Sequence, residues 1–233
     1  MFKFLTEKAL TIKKKSYLDS MDVFEVISKL KNTVKEFDNR PVGEKEIGLM
    51  LYMATRMNSA GNIQPWEFIL VSDEDQKKKL AVAALRQKVI IDAPIDIVIC
   101  ANMEREHLRF DKKGTLYGVQ DTAAAIGIIM LTANALNLGV VWVRAFDEEE
   151  VKIILGLPNE LRPVAILSVG YPASVTEEER TPFEHITWID KYGKKFQLAF
   201  ATKRGREEEH LVKPVGMILE DLIKSLRKKG TKK

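Results

Sequence analysis

The longest strongly apolar run in this chain, Ala123 to Leu131, contains only alanine, glycine, isoleucine, methionine and leucine, and it constrains the fold more than any other stretch. It is far shorter than the roughly 20 residues needed to cross a bilayer as a helix. It lies inside a longer helical pattern, about 116 to 137, and so predicts a helix buried by the rest of a folded domain. Its small side chains, Ala123, Ala124, Ala125 and Gly127, would let a second helix approach closely. Two readings stand: a central core helix, or a helix at a dimer interface. A chain of 233 residues, 45% hydrophobic and 30% charged, can bury such a helix in one sizeable core, which predicts one domain with tails.

The flanking segments supply the rest of that core. Val23, Val26, Ile27 and Leu30 recur at helical spacing, and Asp22 followed by Glu25 resembles a capping box, so a first helix is predicted over 22–31. Ile47, Met50, Leu51, Ala54 and Met57 mark a second within 44–57. Trp66 to Val71 reads as a strand, 73–88 as a charged helix, 95–101 as a strand, and the following polar stretch with His107 and Arg109 as a loop. Val140 to Phe146 and Val164 to Val169 are further strands, separated by a helix from Asp147 to Leu155 that Gly156 and Pro158 stop. From Pro214, the residues Val215, Ile218, Leu219, Leu222, Ile223 and Leu226 outline a terminal amphipathic helix. Helices and strands thus share one core, with no internal repeat.

Charge and cysteine usage narrow the class. Residues 1–20 carry five lysines against Glu7 and Asp19, and residues 224–233 carry six basic residues and no acid, so the body between them is net negative despite the overall +4. A nucleic-acid groove would want its positive charge on the folded body, so the basic ends are expected to be solvated and no nucleic-acid partner is expected. The single Cys100, at the end of a strand-like run, cannot form an intrachain disulfide and fits a buried core position in a reducing compartment. No secretory pattern opens the chain; the expected location is cytoplasmic, without a membrane partner. His107, His185 and His210 are far apart and no metal site is expected. The G-x-G-x-x-G, P-loop and G-x-S-x-G patterns do not occur, so any nucleotide is held in another way.

Three segments carry the remaining chemistry. Lys31, Thr33 and Lys35 alternate, so in extended chain they present two cations and a hydroxyl to one side, suited to an anion or simply to a solvated basic edge. Ser59, Ala60, Gly61, Asn62, Ile63, Gln64, Pro65 and Trp66 form a turn-rich stretch in which Asn62 and Gln64 each offer a donor and an acceptor, matching the amide-like edge of a heterocycle or else capping their own turn. The third is Leu138, Gly139, Val140, Val141, Trp142, Val143 and Arg144, followed by Gly170, Tyr171 and Pro172, with Arg180 in a later loop where a guanidinium can grip a phosphate.

In order and spacing, from about 22 to about 192, these segments resemble the nitroreductase family. Its R-x-S-x-[RK]-x-F opening corresponds to Lys31, Thr33, Lys35 and Phe37. Its P-S-x-x-N-x-Q-P-W loop corresponds to Asn58, Ser59, Asn62, Gln64, Pro65 and Trp66, and its G-L-G-x-x-W strand and G-Y-P turn to Leu138, Gly139, Trp142 and to Gly170, Tyr171, Pro172.

The resemblance implies an α+β fold, a mixed sheet flanked by helices in a three-layer α/β/α sandwich, assembled as an intertwined homodimer with flavins at the interface. It implies a domain over 21–192, an N-terminal extension 1–20 and a C-terminal extension 193–233 packing on the partner subunit. The implied enzyme binds FMN, takes hydride from NAD(P)H and reduces nitroaromatics, quinones or similar acceptors by a ping-pong mechanism. Because the flavin carries the chemistry, no catalytic acid or base need be visible.

By the same resemblance, Lys31, Thr33 and Lys35 contact the FMN phosphate, ribityl chain or ring edge, and Ser59, Asn62 and Gln64 line the flavin. Val143 and Arg144 lie beside the ring, and Arg180 helps hold the phosphate. The chain departs from the pattern at Lys31 and Thr33, which stand for arginine and serine, at Asn58, which stands for proline, and at Arg144, where a small residue is usual. A dehalogenase or flavin-breakdown enzyme on the same scaffold, or a non-catalytic flavin-binding or redox-sensing protein, are the alternatives.

Overall fold

The computed structural model describes residues 23–30 and 32–195. Its spine is the strand Ile95–Asn102. Helix α1 is Val23–Lys29, strand β1 Asn32–Phe37, helix α2 Glu44–Ala54, strand β2 Trp66–Val71, helix α3 Glu74–Ala83, helix α4 Val89–Asp92 and strand β3 Ile95–Asn102. Helix α5 is Met103–Phe110, helix α6 Gly114–Ala135, strand β4 Gly139–Val143, helix α7 Glu148–Leu155, strand β5 Leu161–Gly170 and strand β6 Pro172–Glu177.

All eight residues of β3 are buried. Side chains alternate across a strand, so Ile95, Ile97 and Ile99 face one cluster and Val98 and Cys100 another. The first cluster is closed by Ile47, Met50 and Ala54 of α2 and by Ala125, Ile126, Ile129 and Ala133 of α6. The second is closed by Leu80, Ala81 and Ala83 of α3, Ile90 of α4 and Val151 of α7. A sheet covered on both faces by helices is the three-layer arrangement expected, and the fold is α+β. The strand order is β2-β3-β5-β4. A mixed sheet was the expectation; among the described residues every pairing is antiparallel. Strands β1 and β6 form a separate two-stranded ribbon.

Local chemistry sets the element ends. The Asp147 carboxylate accepts from the amides of Glu149 and Glu150, both at 3.0 Å, and Gly156 closes α7 in the left-handed region at φ 62°. Asp73 caps α3 by accepting from Gln76 N–H at 2.9 Å. Two expectations are corrected. The stretch holding His107 and Arg109, read as a loop, is helix α5. The single helix expected over 73–88 breaks at Ala84, because Leu85 and Arg86 adopt left-handed φ of 58° and 60°. Helix α6 lies two residues earlier at each end than the expected 116–137, and its buried apolar residues cover one face of the sheet.

A carboxylate lies on the second cluster's side of the sheet. Asp96 is fully buried on β3, accepts from the Ser168 hydroxyl at 2.6 Å, and leaves Oδ2 without a partner. Burial pushes its carboxyl up to about 7, against the opposing effects of Ser168 and Lys77. The Lys77 ammonium is itself buried and donates to the carbonyls of Ile91 and Ala93 at the end of α4.

One compact unit ends at Glu178 and a second begins at Glu179. Within the second, the rings of Trp188 and Tyr192 sit 4.7 Å apart and Lys195 Nζ lies 3.9 Å above the Trp188 ring. The expected extension 1–20, Lys31 and the amphipathic helix from Pro214 lie outside the described residues.

Candidate active site

The segment 58–65 joins α2 to β2 and is held in a conformation most residues avoid. Gly61, Asn62 and Gln64 have φ of 54°, 59° and 54°. Glycine adopts the left-handed region freely, but asparagine and especially glutamine do so at a cost that neighbouring contacts must offset. Those contacts come from the loop itself, from α6 and from α5. The Ser59 hydroxyl accepts from the Gln64 amide at 2.9 Å. The Ala60 amide donates to Asp121 of α6 at 2.8 Å. The Arg105 guanidinium of α5 donates to the Gln64 carbonyl at 3.4 Å while pairing with Glu67. A Cβ on Gly61 would meet the Phe110 ring at 3.0 Å, so α5 also closes the space behind the loop. The carboxamides of Asn62 and Gln64 remain exposed, with only long contacts between them, Gln64 Nε2 donating to Asn62 Oδ1 at 3.3 Å and to the Asn62 carbonyl at 3.5 Å.

Helix α5 and Asp121 are thus the supports of this loop, and the residue pattern alone did not reveal them. Asp121 carried a usable signal, as the sole charged residue of α6. Beneath it lies Glu106, fully buried with neither carboxylate oxygen partnered. Burial first, and the Asp121 charge second, push the Glu106 carboxyl above the ordinary range. Burial likewise raises Asp121, although the Ala60 N–H works against it.

The basic strand behaves differently from its sequence. Alternation would put Thr33 and Lys35 on one side, but the β1–β6 register shifts between Val34 and Glu36, leaving Lys35 at a bulge. Bulges re-aim side chains, and Lys35 is exposed. The Thr33 hydroxyl donates to the Glu178 carboxylate at 2.7 Å, an acidic neighbour that the sequence pattern did not anticipate beside a proposed phosphate contact.

The ribbon is seated by two glycines. A Cβ on Gly139 would lie 2.4 Å from a Val34 methyl, and one on Gly170 would lie 2.8 Å from the Phe37 ring. The glycines of the third segment therefore let the first segment pack on the main sheet.

At the other end of β4, Val143 is 2% exposed and packs in the second cluster, so only its backbone is left to face a ligand. Arg144 is exposed and stacks its guanidinium 3.7 Å over the Trp142 ring. The Trp142 indole N–H is buried without a partner. Arg180 belongs to the second unit. The structure thus brings Ser59, Asn62 and Gln64 into one loop, Thr33 and Lys35 onto the ribbon, and Val143 and Arg144 to the exit of β4.

A sequence model described as the nitroreductase family matches residues 31–88 and 81–171, more than half of the chain. The chain belongs to the nitroreductase family. Among relatives of this nitroreductase-family oxidoreductase is a protein of Archaeoglobus fulgidus, provisionally named an NADH dehydrogenase/NAD(P)H nitroreductase. It is 31% identical over 146 residues, covering 61% of this chain and 81% of that one. An FMN reductase (NAD(P)H) of Bacillus subtilis is 25% identical over 185 residues, covering 72% and 74%. The fold is shared with the NfrA1 nitroreductase of Bacillus subtilis, at a TM-score of 0.68 and 20% identity over 73% of this chain and 75% of that one.

Proposed function

We propose that this enzyme holds FMN, accepts hydride from NAD(P)H, and reduces small electrophilic acceptors such as nitroaromatics or quinones in ping-pong fashion. The observation that carries the reading is the 58–65 loop. Its strained backbone is pinned from α5 and α6 while the Asn62 and Gln64 carboxamides stay exposed. Rigid, exposed amides of that kind suit the alternating donors and acceptors of a flavin edge. The buried, unpartnered Trp142 N–H and the exposed Lys35 fit the same group, whereas the acidic Glu178 on Thr33 does not favour a phosphate there. Bound FMN would supply the hydride acceptance and electron delivery that no side chain provides.

In this reading Ser59, Asn62 and Gln64 orient the flavin. Lys35 favours negative charge at its edge, Lys31 serves the phosphate, Thr33, bonded to Glu178, is left for the ribityl chain, and the Val143 backbone and Arg144 flank the ring. The partner is a second copy of the chain. Leu49, Tyr52 and Met53 are exposed on α2, and nothing lies within 4 Å of a Cβ placed on Gly127 of α6, so both helices keep surface for close approach. The proposed location is the cytoplasm, without membrane or nucleic-acid partners; the negative body between the basic ends supports only the exclusion of nucleic acid.

The test is the absorption spectrum of the purified protein, followed by anaerobic NADH or NADPH. A flavin spectrum that bleaches is the expected result, and a protein that stays colourless after incubation with FMN overturns the reading. With occupancy matched, Lys35→Ala should slow flavin reduction roughly tenfold. An unchanged rate removes Lys35 from that role.

A further inference from the structure

Between α3 and α4 the chain turns through Leu85 and Arg86, two consecutive left-handed residues that are neither glycine nor asparagine. Strain of this kind persists where the surroundings over-determine it. Here the Arg86 amide donates to the Ala81 carbonyl at 2.7 Å and the Gln87 amide to the Ala84 carbonyl at 3.2 Å. The product of the turn is the placement of one carboxamide. Gln87 Nε2 donates to the Ala84 carbonyl at 2.9 Å and to the Ala145 carbonyl at 2.9 Å. Two residues further on, the Asp147 amide donates to the Ala83 carbonyl at 2.9 Å. The segment leaving β4 is therefore fastened to this turn at Ala145 and Asp147, while Arg144 and Ala145 are otherwise exposed.

A trans peptide holds its C=O and the next N–H in opposite directions. Drawing the Ala145 carbonyl toward Gln87 aims the Phe146 N–H away from the turn, and among the described residues that amide has no acceptor. We infer that Gln87 is a positioning residue for the ligand-facing backbone after β4: its two donated hydrogen bonds fix the Ala145–Phe146 peptide so that an open N–H meets an acceptor atom of the flavin. This rests on the flavin reading of the Val143–Arg144 end of β4. Gln87 touches no ligand itself; it acts through the peptide.

The experiment uses the full chain, with hydrogen exchange over 144–147 and FMN affinity by fluorescence quenching in wild type, Gln87→Glu and Gln87→Lys. At neutral pH the glutamate keeps the length but offers only acceptors to two carbonyls, and the lysine restores donors. The expected result is a roughly tenfold rise in exchange and a roughly tenfold loss of FMN affinity in Gln87→Glu, with near-wild-type values in Gln87→Lys and unchanged exchange in β3 of both. Equal FMN affinity in wild type and Gln87→Glu overturns the inference, as does unchanged exchange over 144–147 or loss in both variants alike. A wild-type protein that binds no FMN overturns the flavin reading along with it, which separates the two failures.

Discussion

The ring of Phe37 occupies the space that a side chain on Gly170 would need, its Cδ1 2.8 Å from where a Cβ would stand, with Pro94 Cδ at 2.5 Å on the same point. The contact joins the end of β1 to the end of β5 and so sets the ribbon bearing Thr33 and Lys35 against the main sheet. Neither a phenyl ring nor a pyrrolidine ring yields cheaply. Gly170→Ala should destabilise the fold by about 1–3 kcal/mol in a denaturant titration, with the slope of the transition unchanged.

Asp96 predicts an unusual pH dependence. Its folded pKa, about 7, lies above the 3.8 ordinary for an aspartate in an unfolded chain, so between these values the folded state holds the extra proton. Stability from this group is fully present below about 4, falls as pH rises through the window and levels off above about 7. Thermal melts from pH 4 to 8 should show that decline in wild type and a flatter profile in Asp96→Asn, which cannot ionise.

Asp121 fastens the 58–65 loop through the Ala60 amide. Asp121→Ala removes a hydrogen bond to a carboxylate, the stronger kind. Hydrogen exchange at Ala60 should accelerate by roughly tenfold or more while the β3 amides keep their protection.

Cys100 is buried in the second cluster, and burial, reinforced by Glu67, pushes its thiol up to about 12. The thiolate is the reactive form, so a thiol reagent at pH 8 should leave the native protein unlabelled over minutes and modify it fully in denaturant.

The segments that bury apolar side chains were legible in the sequence because their periodicity is physical. Ile47, Met50 and Ala54 mark α2, and Ile95, Ile97 and Ile99 mark one face of β3, as their spacing implied. Helix α5 was not legible because its one buried residue is Glu106 and its Leu108 is 84% exposed, so no apolar stripe exists to read. A polar signal was present: Asn102 accepts from the Arg105 amide at 3.0 Å, and α5 carries acids in its first turn and bases in its last. The break after α3 is marked by neither glycine nor proline, and every residue of β6 is exposed, leaving no alternation to find. At the site, the side-chain types of the 58–65 loop were readable. What holds them in place comes from α5 and α6, tens of positions away in sequence, and local pattern does not encode such contacts.

The β1–β6 ribbon also orders events during synthesis. Thr33 and Glu178, bonded in the finished molecule, are 145 positions apart. A ribosome making this chain releases Asn32–Phe37 early, and that strand waits with its backbone unpaired while the whole main sheet is translated. Contacts this distant form late, because closing the intervening loop costs entropy before any pairing repays it. A nascent chain stopped short of Pro172 would carry the helices and the buried core strands yet lack the seat for its own first strand, so the ribbon's part of the site comes into being only near the end of synthesis.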